Sequence, residues 1–198
     1  MRIALGYVGA GAKVYISSRK KDVCDAVAAE LSKSGTCIAI PADLSQEAEA
    51  VRLAQEIADR EPGGLHILVN NAGVFMRTRR TTEDGLELTF ALNQMAPFLL
   101  TRELLDLLRP RTPARGLNVG SEAHRRARFD LTDLQCATSY RGMTAYANSK
   151  LANILFTREL TQRLGTSEVT AVALHPGVVD TSLLDNYFRE MPWVLRIF

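Results

Sequence analysis

Leu65-His66-Ile67-Leu68-Val69-Asn70-Asn71-Ala72-Gly73 is an apolar run that ends abruptly on two amides, an alanine and a glycine. Leu65 to Val69 is nearly all apolar, the pattern of a strand covered on both faces. Strands of that kind belong to parallel sheets flanked by helices, and ligands of such sheets bind beyond the carboxyl ends of the strands. Asn70 to Gly73 stand at that place.

Outward from this run, short β-rich segments alternate with longer helical ones. Toward the N-terminus the pattern predicts a helix over residues 1–10 ending near Gly11, a strand over Lys13–Ser17, and a helix over 20–33. In that helix Val23, Val27 and Leu31 recur every four residues, and Gly35 serves as its stop. A strand over 37–41 follows, then a helix N-capped by Ser45 with Glu47 in its first turn. Toward the C-terminus the pattern predicts a helix over 83–109 that Pro97 kinks and Pro110 ends. A short strand at Leu117–Val119, a helix over 143–164 and a strand at Val169–Leu174 complete the series. Repeated βα units of this kind predict one doubly wound, three-layer α/β domain of Rossmann type over residues 1–198, with a parallel sheet.

Composition narrows the function classes. The chain has 46% hydrophobic and 23% charged residues with a net charge of +2, which calls for neither nucleic acid nor an anionic membrane. Two short arginine clusters, Arg77, Arg79, Arg80 and Arg125, Arg126, Arg128, read as solvated loops. Cys24, Cys37 and Cys136 lack CxxC spacing, so they predict reduced thiols in a cytoplasmic setting and no metal site. No apolar run is long enough for a transmembrane segment, and no signal-peptide pattern is seen.

The chemistry gathers around Tyr146 and Lys150 in Tyr-Ala-Asn-Ser-Lys. Four residues apart on a helix, both side chains share one face. A free phenol has a pKa of about 10, and a neighbouring ammonium favours its phenolate. Tyr146 so tuned would exchange a proton with an alcohol or carbonyl oxygen. The alternative is an exposed helical pair. Against it stand Asn70-Asn71-Ala72-Gly73, Ser121 in Asn-Val-Gly-Ser after one strand, and His175-Pro176-Gly177 after another. All would converge on one edge of the sheet.

This combination resembles the short-chain dehydrogenase/reductase family through nearly the whole chain. The resemblance implies an NAD(P)-dependent oxidoreductase that interconverts an alcohol and a carbonyl by hydride transfer. It makes Tyr146 the acid/base, Lys150 the group that holds the nicotinamide ribose, and Ser121 the partner of the substrate oxygen. Asn93 would organise a water relay to the lysine, or otherwise be a buried amide satisfying backbone. For the cofactor the resemblance implies Asp43 and Leu44 at the adenine, Asn70, Ala72 and Gly73 at the adenosine ribose, and Pro176, Gly177, Val178 and Thr181 at the nicotinamide and diphosphate. Ser18 stands where an acidic residue would mark NAD, and Arg19 could pair with a 2′-phosphate. NADP is expected, with NAD left open.

Twenty-five positions separate Ser121 from Tyr146. That length, the stretch Gly120–Gln135, His-Pro-Gly-Val-Val-Asp-Thr and the final Pro-Trp-Val-Leu-Arg-Ile-Phe resemble the retinol-dehydrogenase-like branch, which implies an apolar alcohol, ketone or aldehyde as substrate. The first 65 or so residues resemble bacterial reductases of the 3-oxoacyl-carrier-protein type. The family's glycine-rich phosphate loop is not matched: Gly6, Gly9 and Gly11 are spaced GxxGxG, and Met1 aligns just after that loop. The first, central strand is expected to be lacking with it, and the last strand at the other end. An alternative reading is therefore a non-catalytic dimerising or regulatory fragment. The resemblance also implies a homodimer through the helices at 83–109 and 143–164.

Overall fold

The computed structural model describes residues 2–111, 113–166 and 169–177. Helices α1 (Arg2–Gly9) and α2 (Lys21–Leu31) alternate with strands β1 (Lys13–Ile16) and β2 (Thr36–Ala39). Then come α3 (Glu47–Arg60), β3 (Ile67–Asn70), α4 (Leu88–Phe90), α5 (Ala96–Leu108), β4 (Ala114–Val119), α6 (Gly142–Leu164) and β5 (Val169–Leu174). All strand pairs in these sheets are parallel, with helices flanking them, as the alternating pattern predicts.

The strands form two sheets. β1 pairs with β2, Lys13 opposite Thr36, and β3–β4–β5 form the other, with Ile67 opposite Arg115 and Ala114 opposite Val169. No ladder joins β1 to β3 among the described residues, which is where the expected central strand would lie. Ladder geometry shows which backbone groups face that division. Ile16 O accepts from Ile40 N, so Ile16 is turned toward β2 and Tyr15 away from it. His66 O accepts from Arg115 N, so Ile67 and Val69 present their backbone groups away from β4.

A helical layer spans both sheets. Ala50, Leu53, Ala54 and Ile57 of α3 and Leu99, Leu100 and Leu104 of α5 cluster with Ile40 and Ala42, and Tyr15, Ile38 and Leu68 pack against them. α6 lies beside α5, where Phe98 meets Phe156 with ring centroids 5.5 Å apart. On the other face of β1–β2, Val8, Ala28, Leu31 and Cys37 join α1 and α2 to Val14 and Ile16. All three cysteines are free and buried.

Several local expectations are corrected. Gln46, not Ser45, is the N-cap of α3, because the Ser45 hydroxyl donates to Asp43 Oδ1 at 2.7 Å. Val23 is 54% exposed, and α2 buries Cys24, Ala28 and Leu31 instead. The predicted 83–109 helix starts at Leu88, capped by the Glu87 carboxylate, which accepts from Thr89 N and Phe90 N at 2.9 and 2.7 Å. Between α4 and α5 the chain widens into a π turn over Ala91–Met95. Pro97 has no N–H to offer the Asn93 carbonyl, and its ring would clash there in a regular helix; the wider turn relieves this. Asn93 sits inside that turn and is fully buried. β4 starts at Ala114, three residues before the predicted Leu117.

Candidate active site

The parallel strands send their carboxyl ends to one edge. β3 continues into Asn71–Gly73, β4 into Gly120 and Ser121, and β5 into His175–Gly177. α6 brings Tyr146 and Lys150 to the same place; they are 9% and 4% exposed. Lys150 Nζ lies 5.7 Å from the Tyr146 ring centroid and donates to Val119 O at 2.9 Å, which ties the lysine to the last residue of β4. Phe75 covers Tyr146 with centroids 5.6 Å apart. Gly73 is equally close: a Cβ there would lie 3.2 Å from Asn93 Oδ1 and 3.5 Å from Lys150 Nζ. A side chain there would press on the Asn93 amide, so glycine suits the loop after β3 at this point.

The titrations follow from burial. The Tyr146 phenol is pushed above its ordinary value by burial, while a hydrogen bond with Ser121 acts in the opposite direction. Burial pulls Lys150 down to about 8. This corrects the expectation that the lysine lowers the tyrosine: desolvation dominates both groups in this protein. The Ser121 hydroxyl oxygen also accepts from Ala123 N at 3.2 Å, which fixes it at the start of the 3₁₀ turn Glu122–Arg126.

Asn93 rivets three segments together. Its Oδ1 accepts from Val74 N at 2.7 Å, and its Nδ2 donates to Val74 O and Ser149 Oγ, both at 3.0 Å. Ser149 Oγ in turn donates to Tyr146 O at 2.7 Å. Both amide protons of Asn93 are thus taken by protein partners. Ser149 was not singled out by spacing; its place between Tyr146 and Lys150 was the only available signal.

The cofactor residues divide. Ser18 and Arg19 are exposed just beyond β1, and Ser18 O accepts from Ala42 N at 3.2 Å, which sets them beside Asp43 and Leu44. Asp43 Oδ1 accepts from Ser45 N at 3.0 Å, and Leu44 packs on the core. Ala72, Pro176 and Gly177 are exposed beyond the carboxyl ends of β3 and β5. The Asn70 amide turns inward, donating to Thr101 Oγ1 at 3.0 Å and Asn118 Oδ1 at 2.9 Å, and Asn118 Nδ2 donates to Thr157 Oγ1 at 2.9 Å. This buried chain links β3, β4, α5 and α6, so the Asn70 amide protons are spent inside the protein and its backbone is what lies at the sheet edge. Val178 and Thr181 lie outside the described residues.

The family model for short chain dehydrogenase matches residues 1–192. This chain belongs to that family. Among short chain dehydrogenases it is similar to retinol dehydrogenase 11 of Homo sapiens, 37% identical over 192 residues, which are 95% of this chain and 60% of that one. It is 41% identical over 189 residues to retinol dehydrogenase 12 of Mus musculus, covering 93% of this chain and 60% of that one. The similarity to retinol dehydrogenases therefore reaches into the N-terminal part as well, and the chain spans about three fifths of the length of these curated relatives. Among solved structures, a Pseudomonas aeruginosa RhlG/NADP active-site complex superposes with a TM-score of 0.76 at 33% identity, covering 98% of this chain and 73% of that one. An uncharacterized protein from Mycobacterium Paratuberculosis gives 0.78 at 33% identity, over 92% and 68% of the two chains. Among the described residues no helix is long and apolar enough to cross a membrane.

Proposed function

We propose that residues 1–198 form a single partial Rossmann-type domain carrying the site of an NADP-dependent oxidoreductase that interconverts an apolar alcohol and its ketone or aldehyde. The observation that carries this reading is the buried Tyr146–Lys150 pair, with Ser121 close enough to act on the tyrosine's titration, at the carboxyl edge of a parallel sheet. A phenol held protonated by burial is a proton donor suited to a carbonyl oxygen, and Ser121 beside it can hold that oxygen in place. Lys150 supplies positive charge at the same point, and its Nζ spends one proton on Val119 O. Asn93 and Ser149 act as positioning residues that lock the loop after β3 to α6.

The donor set and the close approach of Gly73 to Lys150 fit a nicotinamide cofactor. Lys150 would hold its nicotinamide ribose, Pro176, Gly177, Val178 and Thr181 its nicotinamide and diphosphate, Asn70, Ala72 and Gly73 would line the adenosine ribose, and Asp43 and Leu44 would meet the adenine. When bound, the nicotinamide supplies or accepts the hydride. Ser18 leaves no carboxylate for a ribose hydroxyl, and the exposed Arg19 suits a 2′-phosphate. Both favour NADP over NAD, in line with the NADP named in the Pseudomonas complex. The free, buried thiols suit a reducing, cytoplasmic compartment. Phe98, 37% exposed, and Leu155, 44% exposed, on the adjoining α5 and α6 suit a homodimer contact.

A second reading, a non-catalytic dimerising or regulatory fragment, is favoured by one observation: β1 and β3 belong to separate sheets. The two readings part on a simple assay. With saturating NADPH and a panel of apolar ketones and aldehydes, the enzyme consumes NADPH, and Lys150→Ala weakens both cofactor binding and turnover. NADPH binding without consumption against any of the panel would support the second reading.

A further inference from the structure

We propose that Phe75 is a positioning residue for the reaction, a shield that keeps water from Tyr146, and that Asn93 on one side and Tyr140 with Glu87 on the other hold it in place; this deepens the oxidoreductase reading above and rests on it. Phe75 is 6% exposed. Its ring is tilted by 59° against that of Tyr146 with centroids 5.6 Å apart, within the range of a stabilising aromatic pair. Both chain neighbours of Phe75 are pinned by polar side chains. Val74 is held by Asn93, which accepts from its N–H and donates to its carbonyl. Met76 is held by Tyr140, whose hydroxyl donates to Met76 O and to Glu87 Oε1, each at 3.1 Å. The start of α6 closes on the same carbonyl, since a Cβ at Gly142 would overlap Met76 O. With both neighbours fixed, the Phe75 backbone has little room to shift.

Glu87 joins the two clamps. It is 1% exposed, and its carboxylate accepts from Thr89 N, Phe90 N and the Tyr140 hydroxyl. Its own N–H donates to Gln135 Oε1 at 2.8 Å, which ties the stretch before α6 to the entry of α4. Thr89 Oγ1 lies 3.4 Å from the Tyr140 hydroxyl and closes the cluster. A short exposed side chain would cap α4 as well; the longer, buried one also reaches Tyr140. Through α4 the same residue sets the start of the π turn that carries Asn93. A buried carboxylate is tolerated only when it is hydrogen-bonded, so loss of the Tyr140 hydroxyl disturbs Glu87 as well as Met76.

Three groups from three elements act on Tyr146: Phe75 after β3, Ser121 after β4 and Lys150 on α6. Burial pushes the Tyr146 phenol up, and Ser121 acts in the opposite direction. Lys150, pulled down by burial to about 8, loses its proton before the phenol does. Burial also pushes the Tyr140 phenol up, so its hydroxyl remains a donor to Met76 O while Tyr146 titrates. Access of water to the Tyr146 ring is then the quantity that Phe75 controls. A shield that swings away lets the phenolate be hydrated and form at lower pH. It also leaves the hydroxyl less firmly oriented toward a carbonyl oxygen. Tyr140 and Glu87 act through the Met76 backbone and Phe75, without touching the reacting atoms.

The test reads Tyr146 directly, by NMR titration of isotope-labelled tyrosine ring carbons in the full chain, with its signal assigned by its loss in Tyr146→Phe. The parent is compared with Phe75→Ala, Phe75→Leu and Tyr140→Phe, and Phe75→Val takes the place of the alanine variant if that one does not fold. Tyr146 should stay protonated to a higher pH than a free phenol in the parent. Its titration should move down in Phe75→Ala and, to a smaller extent, in Tyr140→Phe. Phe75→Leu, which restores apolar bulk, should stay near the parent. Tyr15, in the other sheet, should not move in any of them, and thermal unfolding confirms that each variant is folded. With NADPH and a ketone from the panel above, kcat near neutral pH should fall about tenfold in Phe75→Ala and Tyr140→Phe, with KM for NADPH unchanged. A Tyr146 titration that is the same in Phe75→Ala as in the parent would overturn the shield. A shift in Phe75→Ala without one in Tyr140→Phe would overturn the clamp, and equal shifts at Tyr15 and Tyr146 would reduce both to general loosening. Shifted titrations with no turnover in the parent would support the shield and retire the enzymatic reading; turnover with unshifted titrations would do the reverse.

Discussion

Lys150→Met separates stability from function at the candidate site. Lys150 is 4% exposed, and burial brings it from 10.5 to about 8. Because the unfolded lysine holds its proton up to a higher pH than the folded one, stability of the parent rises with pH between these values. Near pH 7 the folded lysine carries its charge at a penalty of roughly 3 kcal/mol, which falls below about 1 kcal/mol near pH 10. Methionine fills similar volume without charge, but leaves Val119 O without the 2.9 Å bond it accepts from Nζ, a loss of about 1 kcal/mol. The variant should therefore be more stable than the parent by about 2 kcal/mol near pH 7, with the gain gone near pH 10. Its NADPH-dependent turnover should be abolished. Denaturant unfolding of both proteins at the two pH values measures the difference directly. A variant less stable than the parent near pH 7, or a difference that does not change with pH, would refute the burial argument.

Three further outcomes follow from other parts of the structure. Arg19→Ala should weaken NADPH binding by about tenfold or more while leaving NADH nearly unchanged, as read by titration of cofactor fluorescence; equal losses for both would remove Arg19 from the 2′-phosphate. Asn118→Leu, which breaks the buried chain from Asn70 to Thr157, should cost about 2–4 kcal/mol in chemical denaturation by leaving amide and hydroxyl groups unpaired; a neutral substitution would contradict that role. Fusing an apolar strand and a glycine-rich loop ahead of Met1 should raise both the melting temperature and NADPH affinity, since Tyr15, Ile67 and Val69 face the division between the sheets. No change in either quantity would show that the division is not a strand site.

What the sequence disclosed, and what it hid, follows from range. β5 runs from Val169 to Leu174 as predicted, because its apolar content needs no distant partner to be recognised. The apolar signal marks only Leu117–Val119 of β4 because Arg115 and Gly116 interrupt it, although their backbone pairs with Ile67 and Leu68. Helical periodicity extends the 83–109 helix too far at its start because it cannot show that Asp84 is drawn to the N-terminus of α3. At the site, the four-residue spacing of Tyr146 and Lys150 placed them on one face of α6, where both are buried. The inward turn of Asn70 and the bond from Arg79 to Gln135 depend on pairings across some fifty residues, which no local pattern encodes. Burial reverses the sign expected for Tyr146, since spacing shows that a lysine is near but not how much water is excluded.

In the proposed mechanism Tyr146 delivers the proton when hydride moves at this site. Its most direct test is deuteride transfer from labelled NADPD to a ketone at saturating cofactor, read by mass spectrometry of the alcohol, in the parent and in Tyr146→Phe. The parent should transfer the label and the variant should lose at least about a hundredfold of it, with NADPH binding retained. Comparable transfer by the two proteins, or none by the parent with NADPH bound, would contradict it.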